Sequence, residues 1–115
     1  MRVYKVRRAA DITRDLDLIE GYLVQAYQTF GEDPLNATER AAARIDEALD
    51  YMRTCEAGPH RGTERPDVLP GIRTVTSNRF IFYFEIDEPL AEVRILAVFF
   101  GSVDHTRQIL DRLRH

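Results

Sequence analysis

The spacing of apolar residues changes its period along the chain. Val3, Tyr4 and Val6 alternate with charged residues over positions 2–7, the period-2 pattern of a short strand. Ile12, Leu16, Ile19, Leu23, Ala26 and Phe30 then recur at intervals of three and four, with Tyr22 and Tyr27 widening the stripe. This predicts a helix from Asp11, placed as its N-cap, to a stop at Gly31. A second helix is predicted at once. Asp33 can cap it, Pro34 suits its first position, and Ala41, Ile45, Ala48, Leu49 and Met52 carry the stripe to about Cys55 before Gly58-Pro59. Two long helices with so short a connection must lie antiparallel, so 11–55 reads as a helical hairpin.

Residues 56–71, with Pro59, Pro66, Pro70 and three glycines, read as an ordered loop. The beat then becomes that of strands: 72–76, a turn at Ser77-Asn78, 79–86 dense in aromatic and β-branched residues, a turn at 87–91, and 93–100. Short turns make these three an antiparallel meander. Asp104 can cap a last short helix with Ile109, Leu110 and Leu113 on its apolar side. The expectation is one α+β domain over 1–115, in the order β-α-α-β-β-β-α. The hairpin should pack on an antiparallel sheet of three or four strands, with 2–7 at one edge.

Composition narrows the functional classes. The chain has 115 residues, 44% hydrophobic and 30% charged, with a net charge of −3. That suits a soluble globular domain and argues against nucleic acid as the direct partner. No stretch approaches a membrane span, and the alternating N-terminus does not read as a signal peptide. Cys55 is the single cysteine, so no intrachain disulfide can form and a cytoplasmic location is expected. The charge is unevenly spread: +4 over 1–9, −7 over 10–60, and positive again over 61–79. The last stretch carries Arg61, Arg65, Arg73 and Arg79, the candidate residues for binding an acidic protein partner. There is no Gly-rich phosphate loop, and His60, His105 and His115 with Cys55 show no metal-ligand spacing, so no cofactor and no metal are expected.

The residues carry a resemblance. Asp15-Leu16-x-x-Ile19-x-x-Tyr22, Pro59-x-x-Gly62, Leu69-Pro70-Gly71-Ile72-Arg73, Arg79-Phe80-Ile81-Phe82-Tyr83-x-x-x-Asp87 and Val93 through Gly101-x-x-Asp104 follow one another nearly end to end. In that order and spacing the chain resembles the ParE/RelE toxin superfamily, and more closely its ParE branch of plasmid stabilisation proteins. Where those members commonly have a histidine before the last-strand glycine, this chain has Phe100. The resemblance implies the toxin of a type II toxin–antitoxin pair, causing growth arrest and neutralised in a hetero-oligomer with its cognate antitoxin. Nucleic acid would be reached only through that antitoxin. The ParE branch implies inhibition of DNA gyrase without chemistry, and the RelE branch implies metal-independent, ribosome-dependent cleavage of mRNA.

Cleavage through the 2′-OH needs a base, a cation for the phosphorane and an acid for the leaving oxygen. Arg73, Arg79 and His105 are the candidates, with Arg79 and His105 both placed in the chain where they could reach one sheet face. Each also has a plainer reading. His105 can be a surface residue beside a helix cap, Arg79 can pair with Glu85 or Glu92, and Arg73 can fix the loop. The acidic balance and the lack of a tyrosine near the C-terminus favour the inhibitor.

Overall fold

A computed structural model describes residues 2–101 and 104–114; His115, one of the histidines weighed as a metal ligand, lies outside them. Its elements are β1 (Lys5–Arg8), α1 (Asp11–Thr29), α2 (Pro34–Thr54), β2 (Thr63–Glu64), β3 (Ile72–Ser77), β4 (Phe80–Asp87), β5 (Glu92–Phe100) and α3 (His105–Leu113). They form an α+β domain around one five-stranded sheet of order β1-β5-β4-β3-β2.

The sheet is mixed, which corrects the antiparallel expectation. β2 through β5 pair antiparallel, but β1 joins the β5 edge in parallel, with Lys5 opposite Glu92 and Arg8 opposite Ile95. The direction of β1 follows from what comes next: Ala9 N–H bonds the carbonyl of Ile95, and the chain turns from there into α1. β2 adds a fifth strand, two residues long, inside the segment expected to be loop.

The hairpin covers one sheet face as expected. Ile12, Leu16, Ile19 and Leu23 of α1 and Ala41, Ala48 and Met52 of α2 pack with Phe80, Phe82, Phe84, Val93, Ile95 and Val98. Tyr51 stacks on Phe82 with centroids 5.1 Å apart. Alanine at Ala37, Ala41 and Ala48, all buried, lets the helix backbone come close. Asp33 accepts from Asn36 N–H at 2.8 Å as the predicted cap. Gly31, at φ +102°, ends α1: its N–H bonds Gln28 O and that of Glu32 bonds Tyr27 O, the paired closure of a Schellman motif. Two details differ from expectation. The α1 N-cap is Ala10, with Asp11 already helical, and Phe30 is 87% exposed instead of joining the stripe.

The second face has its own cover. Ile72, Ile81, Tyr83, Ala97 and Phe99 pack with Ile109, the one buried side chain of α3 among the described residues; Leu113 is exposed. Asp104 accepts from Arg107 N–H at 3.3 Å and so caps α3, as predicted. β5 serves both faces through a bulge. Tyr83 pairs with Ala97 but Phe84 pairs with Ile95, leaving Leu96 as the extra residue. Val93 and Ile95 therefore face the hairpin before the bulge, and Val98 and Phe100 after it.

A groove between the hairpin, the last strand and the C-terminal helix

β1 covers the outer edge of β5 only as far as Ile95. Beyond it, side chains take up two backbone groups of β5, Val98 N–H and Leu96 C=O. Asp15, at an apolar-stripe position of α1 and 6% exposed, accepts from Val98 N–H at 3.0 Å. Arg112 of α3 grips the same carboxylate through both terminal nitrogens, at 2.6 and 2.8 Å, and its Nη1 also donates to Leu96 O at 3.3 Å. The bidentate pair thus covers this stretch of the strand edge at Leu96 and Val98 and ties α3 to α1. Hydrogen bonding to Asp15 pushes the Arg112 pKa above its ordinary value, so the guanidinium stays charged.

Beside this pair lies a groove of about 390 Å³, lined by Leu18 and Tyr22 of α1, Phe99, Phe100 and Gly101 at the end of β5, Gln108 of α3, and Arg79. Arg79 does not open β4, as expected, but sits in the β3–β4 turn. Ser77 pairs with Phe80, leaving Asn78 and Arg79 as a two-residue connection, and both have positive φ, +50° and +71°. That is the requirement of a type I′ hairpin turn, and Arg79 meets it without being glycine or asparagine, which is uncommon for so long a side chain. Arg44 of α2 pins the turn by donating to Asn78 O at 2.5 Å. The Arg79 guanidinium lies 5.1 Å from the Phe100 ring centroid, and Arg44 lies 5.5 Å from it. Gly101, at φ +79°, leaves room: a Cβ there would stand 3.3 Å from Arg79 Nη2. Neither Glu85 nor Glu92 pairs with Arg79; Glu85 binds Arg94, and Glu92 binds Arg7 and Arg94.

The other arginines read as partner-binding are taken up internally. Arg61 caps the end of α2, donating to Gly58 O, to Thr54 O at 2.9 Å and to Thr54 Oγ1 at 2.6 Å, over the Tyr51 ring. Arg73 holds the loop, donating to Arg61 O at 3.0 Å and to Glu64 at 3.1 Å. Arg65 grips Asp67 at 2.8 and 3.0 Å and reaches Thr106 Oγ1 at 3.3 Å.

The structure does not assemble the candidate nuclease trio. Arg73 faces Phe84 and Arg79 precedes Phe80, so about five residues of strand, roughly 17 Å, separate them along the sheet. His105 is on the opposite face from Phe100, its Nδ1 at 2.7 Å from the hydroxyl of buried Tyr83. Arg79 and His105 do not meet on one face in the structure, because Arg79 leaves the strand ladder in the turn and folds onto the hairpin-side Phe100.

Sequence reasoning did not single out Asp15, Leu18, Tyr22, Gln108 or Arg112 as site residues. One signal was available for Asp15: an acid at a core position of an amphipathic helix needs a buried partner. Arg112 had no comparable signal, because its partner lies 97 residues away.

No protein-family model matches the sequence, and no curated protein matches it. Solved structures do. Over 87% of this chain and 98% of the other, it superposes with a TM-score of 0.66 and 20% identity on a chain of the chromosomal ParDE toxin–antitoxin system from P. aeruginosa. The chain has the ParE/RelE fold. It also superposes on a chain of the RelBE2 toxin–antitoxin complex from Mycobacterium tuberculosis, with a TM-score of 0.56 and 21% identity over 90% of this chain and 97% of the other. Among the described residues, no helix of this ParE/RelE-type fold is long and apolar enough to cross a membrane, and no three His, Cys, Asp or Glu side chains gather as a metal site.

Proposed function

We propose that this protein is the toxin of a type II toxin–antitoxin pair, acting as a protein-binding inhibitor of DNA gyrase and neutralised by a cognate antitoxin. Two solved structures of this fold belong to toxin–antitoxin systems, which supports the class. The observation that favours inhibition over RNA cleavage is the separation of Arg73, Arg79 and His105 over two sheet faces. A base, a phosphate-binding cation and an acid must meet around one phosphate, within hydrogen-bond reach of the groups they serve. Arg73 and His105 are in addition occupied by contacts within the fold.

Induced expression without antitoxin should stop growth and give filamentous cells with a DNA-damage response, relieved by co-expressing the antitoxin. The purified chain should block gyrase supercoiling in vitro. Untouched supercoiling together with cleavage of ribosome-bound mRNA would transfer the assignment to the nuclease reading.

A further inference from the structure

We propose that the free end of the helical hairpin, with Phe30 and Leu35 at its tip, is the surface that enters the target enzyme, seating in an apolar cleft rimmed by basic residues. The proposal rests on the gyrase reading, which makes that target DNA gyrase.

The hairpin is longer than the sheet it covers. Tyr22 is level with Phe100, the last residue of β5, their ring centroids 6.4 Å apart. From there α1 runs on to Phe30, about 12 Å of further helix. In α2, Arg44 reaches Asn78 O in the β3–β4 turn, and the stretch from Pro34 to Arg44 adds about 15 Å. The two helices therefore project past this end of the sheet as an arm, held by its own contacts. Ala37 is fully buried, the Arg40 guanidinium lies 4.1 Å from the Tyr27 ring centroid, and Arg40 also pairs with Glu32 of the connection. Gly31 and the Asp33 cap fix the turn itself.

At this tip stand the two most exposed large apolar side chains among the described residues, Phe30 at 87% and Leu35 at 67%. Phe30 continues the apolar spacing of α1, but no strand lies opposite it. Apolar surface left in water and rimmed by polar groups marks a contact site. The rim here is acidic. Arg40, the one base between positions 23 and 43, is matched by Glu32, which leaves the exposed Asp33 and Glu39 uncompensated.

That charge selects the occupant. A second copy of the chain would set like charges against each other, and two tips meeting end to end would bury far less than the roughly 800 Å² per partner of a stable interface. An arm inserted into a cleft is contacted on several sides, and a basic rim complements Asp33 and Glu39. An enzyme that grips DNA carries surface of that sign. Because the turn is fixed, the two apolar anchors lose little freedom on docking.

The test uses the full chain with purified gyrase and relaxed plasmid. Phe30→Ser and Leu35→Ser, at exposed positions, should fold as the wild type does, and each should raise the half-inhibitory concentration for supercoiling about tenfold. Rising salt should weaken inhibition by the wild type. Glu39→Lys should raise the half-inhibitory concentration about threefold and flatten that salt dependence. Glu56→Lys makes the same charge change beyond the other end of α2, roughly 30 Å away, and should shift it by less than about twofold. An equal shift in both charge variants would overturn the basic rim. Undiminished inhibition by the folded Phe30→Ser, Leu35→Ser double variant would overturn the tip as the docking surface while the gyrase reading stood. A dimeric wild type beside a monomeric double variant would overturn it as well, by giving the tip to a second copy. Supercoiling untouched by the wild-type chain would overturn both readings.

Discussion

The two faces of the sheet are held in different ways. Toward the hairpin, Phe80, Phe82 and Phe84 meet two long helices in a continuous apolar core. Toward α3, a nine-residue helix buries one side chain, Ile109, and is otherwise fastened by polar contacts: Arg112 to Asp15, His105 to Tyr83, and Thr106 to Arg65. Apolar burial is non-directional and supplies most of the stability, whereas ion pairs and hydrogen bonds contribute modestly but set position. The hairpin face therefore keeps the domain folded, and the α3 face determines where the groove wall stands.

Substitutions can break this contrast. The largest loss is expected from Phe82→Ala, which removes a fully buried ring stacked on Tyr51 and should cost about 3–5 kcal/mol in denaturant unfolding. A loss near zero there would refute the hairpin face as the main core. Next comes Asp15→Ala, which strands the Arg112 charge and leaves Val98 N–H without its acceptor, at about 3 kcal/mol. A double-mutant cycle with Arg112→Met should show strong coupling, and additive effects would mean that the pair does not act as a unit.

Ile109→Ala sharpens the comparison, with an expected cost of about 2 kcal/mol because a short surface helix can settle into the space. Hydrogen exchange should then speed up in α3 while the β4 amides keep their protection; uniform loss would show that the two faces unfold together.

The smallest effect concerns pH. The Tyr4 hydroxyl and then His60 hold the Glu88 carboxyl below its ordinary pKa, and the Leu90 N–H and then Arg94 do the same for Asp87. A lowered folded pKa means that the unfolded chain binds protons more readily. The stabilisation is thus fully present above the ordinary carboxylate range and is lost as pH falls through the folded values. Glu88→Gln should flatten the acid limb of a melting-temperature profile slightly, and an unchanged limb would remove Glu88 from that account.

Local pattern alone determined much of this protein. The period of 3.6 placed α1 and α2, Asp33 and Gly31 marked their ends, and the alternation of β-branched and aromatic residues placed β3, β4 and β5. Each signal acts between neighbours in the chain, so it can be read there. Tertiary contacts decided the rest. The parallel course of β1 depends on where α1 must begin, and its four mostly exposed residues carry no facing signal of their own. The bulge at Leu96 was hidden because both faces of β5 are apolar there, so a one-residue slip leaves no trace in the pattern. The groove was hidden for a related reason. Asp15 meets Arg112 across nearly the whole chain, and Arg79 is placed by a turn, a ring and a glycine, none of which specifies a site until the fold has brought them together.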